Sequence, residues 1–187
     1  MKKIYFILTI VCVVFASCSK DDTPTNGPPN NDVLLPLKIG NQWIMRITFI
    51  DSTHLSPVYD TMTVTKDTLI ENERWYYLDR FGSYWTNKSD GVWSRNNKDS
   101  ELNWKYPATA GEKYSIGVDN TVQVFYQNVS VPAGNYWCYE YKYLRLDFSW
   151  FLSPNLGFVK TSDHYIAFSD RLGVYLIREE LVKVVLN

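Results

Sequence analysis

From about residue 33 onward, apolar and polar residues alternate with a period of two, the repeat of a strand with one face buried. Trp43, Met45, Ile47 and Phe49 fall on one face, and Ile44, Arg46 and Thr48 on the other. Tyr59 to Leu69 alternates again through Met62, Val64 and Lys66. Aromatic strands are expected at Trp75 to Leu78 and at Ser83 to Thr86, joined through Asp79-Arg80-Phe81-Gly82. Asn87 to Gly91 reads as a hairpin turn because Asp90-Gly91 suits positive φ, and Val92 to Arg95 returns from it into a polar corner at Asn96 to Ser100.

The second half repeats the pattern. Val122 to Val129 and Tyr136 to Leu146 flank a break at Pro132-Ala133-Gly134-Asn135. In the later strand Trp137, Tyr139, Tyr141 and Tyr143 share one side, while Cys138, Glu140, Lys142 and Leu144 share the other. An aromatic core face leaves the charges in water, which puts Cys138 on the wetter face or on a partly covered edge of it. Turns follow at Ser153 to Gly157, before Phe158-Val159-Lys160, and at Ser169-Asp170-Arg171. The closing segment, Gly173 to Leu186, carries Val182, Val184 and Val185, which favour strand over helix. The sum is one antiparallel all-β domain, residues 33–187, of about ten strands, long enough to curl or to fold over itself as a two-sheet sandwich.

The N-terminus is different in kind. Lys2-Lys3 precedes an apolar run from Ile4 to Ala16. Its core of about 13 residues is signal-peptide length and short of the ~20 that span a bilayer. Ala16-Ser17 before Cys18 resembles the processing site of bacterial lipoproteins, in which the cysteine is lipidated and becomes the new N-terminus. Ser19, Lys20, Asp21 and Asp22 resemble the export signal of surface lipoproteins of the Bacteroidota. Pro24, Gly27, Pro28 and Pro29 then lie among Asn and Thr, the composition of a linker. The expected organisation is a signal peptide at 1–17, a lipidated tether at 18–32 and the domain at 33–187. The expected location is the outer membrane, anchored through Cys18 and facing the exterior, with the periplasmic face as the alternative.

Composition narrows the partners. Lys and Arg number 19 against 20 Asp and Glu, with no extended basic run, which argues against nucleic acid. Of the three cysteines only Cys138 lies in the domain, so an intradomain disulfide is ruled out and packing must supply the stability. Seven Trp and fourteen Tyr point two ways, because aromatics fill sheet cores and also form recognition surfaces. Trp75, Tyr77, Tyr84, Trp85, Trp93, Trp104 and Trp150 are the candidates for a ligand-binding surface, with neighbouring Asp, Asn and Arg to orient a ligand.

No catalytic constellation is expected. His54 and His164 lack zinc-protease spacing, and no Cys-x-x-Cys pair, P-loop, dinucleotide fingerprint or Gly-x-Ser-x-Gly elbow is present. Asp163-His164 with Cys138, the oxygens of Asn96, Asn97, Asp99 and Glu101, and Asp147 with a second carboxylate each lack a supporting pattern. No metal or cofactor is therefore expected.

Four phrases occur in order: Leu35-Pro36-Leu37-Lys38-Ile39-Gly40-Asn41-Gln42-Trp43; Pro107-Ala108 with Gly111-Glu112-Lys113; Val131-Pro132-Ala133-Gly134-Asn135-Tyr136; and Pro154-Asn155-Leu156-Gly157-Phe158-Val159-Lys160. Together they resemble a group of Bacteroidota lipoprotein domains of unassigned function. The resemblance implies a single strongly curled antiparallel sheet, a half-barrel or open barrel, and brings with it no established enzyme activity and no known catalytic residues. From the residues themselves, Gly40 and Gly134 are expected in turns and Gly157 at a close approach before a buried strand. The functional expectation is a non-enzymatic surface protein that binds a glycan, peptide or partner protein. The alternative is a carrier of an apolar ligand on the concave face of the sheet, and a hydrolase ranks below both.

Overall fold

A computed structural model describes residues 32–52, 54–96, 99–117, 120–167 and 174–187. The expected signal peptide, Cys18, the expected export signal at Ser19 to Asp22 and the turn expected at Ser169-Asp170-Arg171 lie outside the described residues. Thirteen strands follow in chain order. They are β1 (Gln42–Phe49), β2 (Val58–Ile70), β3 (Glu73–Leu78), β4 (Ser83–Lys88), β5 (Gly91–Asn96), β6 (Asp99–Lys105) and β7 (Lys113–Ile116). The rest are β8 (Asn120–Val131), β9 (Gly134–Tyr143), β10 (Phe148–Ser153), β11 (Gly157–Thr161), β12 (His164–Ala167) and β13 (Val174–Val185). The expected strands are present, except that the one expected over Tyr136 to Leu146 ends at Tyr143, where residues 144–147 turn. Those at β6, β7, β10 and β12 were not drawn from the alternation, being short or irregular in pattern.

The strands form one antiparallel sheet in the order β6-β5-β4-β3-β2-β1-β13-β11-β10-β9-β8-β7, with β12 paired to β13 off this path. The sheet curls into a nearly complete barrel with one unsealed seam, between β6 and β7. Side chains bridge that seam. The Tyr114 hydroxyl on β7 accepts from the Lys105 N–H at 3.2 Å and donates to the Asn103 carbonyl at 3.0 Å. The Tyr141 hydroxyl donates to the Lys105 carbonyl at 2.9 Å, and the Lys105 ammonium pairs with Glu112. Backbone groups that a neighbouring strand would have satisfied are thus taken up by tyrosines.

The lumen is filled rather than hollow. Trp104 stacks on Trp85 at 5.1 Å between ring centroids and meets Phe158 edge-on at 5.4 Å; Trp43 and Trp150 each reach Phe158 at 5.6 Å. Phe81 joins from the β3–β4 turn, 5.1 Å from Trp85. Offset and edge-to-face pairs of this kind add to the burial of their large apolar area. A carrier needs a free concave face, and these rings occupy it.

Residues 32–37 cross one end of the barrel as a strap, with Leu34 and Leu35 fully buried. Asn155 holds its start: its N–H donates to the Val33 carbonyl at 2.7 Å and its side-chain oxygen accepts from the Val33 N–H at 3.2 Å. Asn87 donates to the Leu35 carbonyl at 2.8 Å, and Asn41 to that of Pro36 at 2.7 Å. The phrases around Pro36 and Asn155 therefore meet here as parts of one clamp.

Cys138 departs from expectation. It does lie opposite the aromatic face of β9, yet it is fully buried, because Val129 and Val159 cover it together with Tyr136, Phe151 and Leu156. The bulge that sets Val159 between the pairs Phe151–Lys160 and Leu152–Phe158 helps build this small outer core. Burial pushes the Cys138 thiol up to about 12.

Candidate functional site

The seven aromatic candidates separate by burial. Trp75, Trp85 and Trp104 are buried, at 1%, 5% and 1% exposure. For these three the expectation of an accessible stacking surface is corrected, since alternation marks two faces without saying which one is covered. Trp150 is half-buried and faces the lumen against Phe158, Trp104 and Phe81. Tyr77 and Tyr84 are cross-strand neighbours on β3 and β4, half-buried, with ring centroids 5.2 Å apart. The Lys66 ammonium stands 4.6 Å from the Tyr77 ring, and neither tyrosine lines either of the two concavities described below.

Trp93 remains. It is half-buried and forms part of an open cleft of about 710 Å³ at the strapped end, lined also by Leu37, Glu73, Arg74, Tyr76, Asn87 and Asp90. The cleft lies there because the β4–β5 hairpin, held to the strap by Asn87, stands beside the start of β3. The Trp93 indole N–H donates to the Asp90 carboxylate at 2.8 Å, which fixes the ring. Lys88 pairs with Glu73 at 2.7 Å and lies 5.1 Å from the Trp93 ring and 5.4 Å from that of Trp75. The result is an indole wall with carboxylate, guanidinium and amide groups around it. That combination can stack on the apolar face of a sugar ring and hydrogen-bond its hydroxyls.

The Asn87–Gly91 turn also borders a smaller pocket of about 270 Å³, lined by Asp32, Val33, Leu34, Val92, Tyr106 and Pro107 among others. The Tyr106–Pro107 peptide bond is cis.

At the other end the lumen contains an ionic cluster. The Arg80 guanidinium donates to Asp60 at 3.0 Å and to Glu179 at 2.7 Å, and His164 Nε2 lies 4.0 Å from the same Glu179 oxygen. Burial acts to lower the Arg80 pKa, but the Glu179 and Asp60 carboxylates more than offset it and hold the pKa above its usual value. None of these four residues lines either concavity, and both carboxylates are paired with Arg80. Asp163 does not orient His164, because both its oxygens bind Arg178, at 2.6 and 2.8 Å, which holds its carboxyl below the usual range. His164 Nδ1 instead lies 3.0 Å from the Ser162 carbonyl. Among the described residues no three His, Cys, Asp or Glu side chains converge as metal ligands. Asp60, Arg80, His164 and Glu179 come from separate elements, so no local spacing could have announced their meeting.

No family model matches this chain, and no curated protein matches it. Among solved structures it is similar to a Parabacteroides distasonis protein described as a "putative lipoprotein". The match has a TM-score of 0.47 and 10% identity, and covers 82% of this chain and 99% of that one. A likeness of this degree stands as a resemblance, and the functional reading rests on the cleft.

Proposed function

We propose that this chain is a non-enzymatic lipoprotein, anchored through Cys18 on the outer face of the outer membrane, that binds a glycan in the Trp93 cleft. One observation carries the reading: a tryptophan, fixed through Asp90, is presented in an open cleft that Leu37 and Tyr76 line together with Glu73, Arg74, Asn87 and other polar residues. Sugars have apolar ring faces edged by hydroxyls, and this wall offers a partner to each. A peptide or protein partner is the second outcome. It would bury the same indole without needing the carboxylates.

The anchor rests on the leader and Cys18, and the outward face on Lys20, Asp21 and Asp22. Lipid attached at one cysteine suffices when it brings more than one acyl chain, at about 0.8 kcal/mol per buried CH₂. The test is a glycan array probed with the full chain in detergent, repeated with Trp93→Ala. Binding that falls at least tenfold in the variant supports the proposal, on the scale of about 1.4 kcal/mol for one stacked ring. Binding no better than background, or unchanged by the substitution, overturns it.

A further inference from the structure

The β4–β5 turn has a concavity on either side. Asn87, Lys88 and Ser89 line both the cleft of about 710 Å³ and the pocket of about 270 Å³, so the turn is their shared wall. The strand register explains the division: Asn87 pairs with Val92 and Thr86 with Trp93, which sends Val92 to the pocket and Thr86 and Trp93 to the cleft. The two differ in lining. Glu73, Arg74 and Asp90 belong to the cleft alone, whereas the pocket has Leu34 and Val92, both fully buried, with Val33, Tyr106 and Pro107. A mainly apolar pocket that also holds Asp32, Asn87 and Lys88 thus adjoins a polar cleft with one indole.

Resting on the Trp93 reading, we propose that cleft and pocket are adjoining subsites for one oligosaccharide of N-acetylated amino sugars, with a ring stacked on Trp93 and an acetamido methyl seated in the pocket.

The lining selects among the groups that a sugar ring carries. A hydroxyl pressed against Leu34 and Val92 would lose water without gaining a partner, at the cost that attends any unsatisfied polar group. A uronic carboxylate would face Asp32, while Lys88, the cation of the pocket, already pairs with Glu73 at 2.7 Å. The methyl of a 6-deoxy sugar would suit the apolar side chains and leave the polar ones unused. An acetamido group answers both: its methyl meets the apolar lining, its carbonyl accepts from Asn87 or Lys88, and its N–H donates to the Asp32 carboxylate. Two of these partners are held in place before any ligand arrives. Asn87 donates to the Leu35 carbonyl at 2.8 Å, and the Asn155 amide donates to Asp32. Groups fixed in this way lose little freedom on binding.

Chitohexaose and cellohexaose share one backbone and linkage and differ only in the acetamido group that replaces a hydroxyl on each ring. Calorimetric titration of the full chain in detergent with each sugar therefore reads the pocket. Chitohexaose should bind about tenfold or more tighter, the scale of one buried methyl and one added hydrogen bond. Val33 lines the pocket and not the cleft, and at 39% exposure it can be changed without disturbing the core. Val33→Trp fills the pocket and should bring chitohexaose down to the affinity of cellohexaose, with cellohexaose unchanged. Val33→Ser removes apolar lining without adding bulk and should narrow the preference in the same direction; the midpoint of unfolding checks that each variant is folded. Trp93→Ala should weaken both sugars alike. Equal affinity for the two sugars, or binding of neither, overturns the acetamido assignment whatever the glycan array shows for Trp93. So does a preference that both Val33 variants leave intact, or a loss in Val33→Ser that falls equally on both sugars. A preference that depends on Val33 but not on Trp93 overturns the Trp93 reading and leaves acetamido selection by the pocket standing.

Discussion

Trp43 and Gly157, 114 positions apart, share one closely packed contact. The Trp43 indole N–H donates to the Leu156 carbonyl at 2.5 Å, and a Cβ on Gly157 would stand 3.0 Å from that same indole nitrogen and 2.7 Å from Leu35 Cδ1. Gly157 also has φ +85, which L side chains rarely adopt. Strap, β1 and β11 are joined at this point.

Gly157→Ala should therefore lose stability from two causes, backbone strain and overpacking, together about 2–4 kcal/mol. Gly111→Ala is the control: its φ is +90, yet nothing lies within 4 Å of the added methyl. The difference between their urea midpoints isolates the packing contribution. Equal losses in the two variants would show that the strap contact contributes nothing.

Arg80→Met should cost about 3–5 kcal/mol, because it leaves Glu179, 2% exposed, as an unpaired buried charge. Arg80→Met combined with Glu179→Gln should recover much of that loss. Chemical denaturation of the two singles and the double measures the coupling.

Tyr114→Phe removes one acceptor and one donor that hold the seam, for the Lys105 N–H and the Asn103 carbonyl. The expected loss is about 1–3 kcal/mol, with faster amide hydrogen exchange in β6 than in β3. Uniform exchange across both strands would mean that the seam does not open separately.

The Cys138 thiol, pushed up to about 12, should resist alkylation at pH 8 in the native protein and react readily once unfolded. Tyr106 and Tyr139 are likewise pushed up to about 12 by burial. The sign follows from proton binding: the native state holds these protons more tightly than the unfolded chain. Their contribution is full below the unfolded values, about 8.5 for Cys and about 10 for Tyr, and is lost as pH rises toward 12. Asp163 acts oppositely. Its lowered value gives stability that is present above about 3.9 and lost as pH falls below it. Thermal unfolding from pH 3 to 11, with tyrosinate absorbance, checks both limbs.

Much of the fold was legible because a strand with one covered face writes its period into the chain. β1, the β4–β5 hairpin and the long β8–β9 pair stand where Trp43 to Phe49, Asp90-Gly91 and Pro132 to Asn135 placed them. The site was less legible. Of the seven aromatics singled out, Trp93 alone reaches the cleft, while Trp137, read as a core residue by its company on β9, is exposed. Nothing in the alternation of Trp137, Tyr139 and Tyr141 says where along the strand the cover stops.

By itself, the sequence determined the all-β class, the turns at Gly40, Gly91 and Gly134, and the need for close approach at Gly157, since these follow from φ, side-chain period and short-range sterics. Closure of the barrel, the tyrosine-bridged seam, the burial of Cys138 and the convergence of Asp60, Arg80, His164 and Glu179 were decided only by tertiary structure. The physical reason is one of range. Periodicity constrains a residue against its neighbours two positions away, whereas burial is set by whatever distant strand, strap or hairpin comes to lie across it.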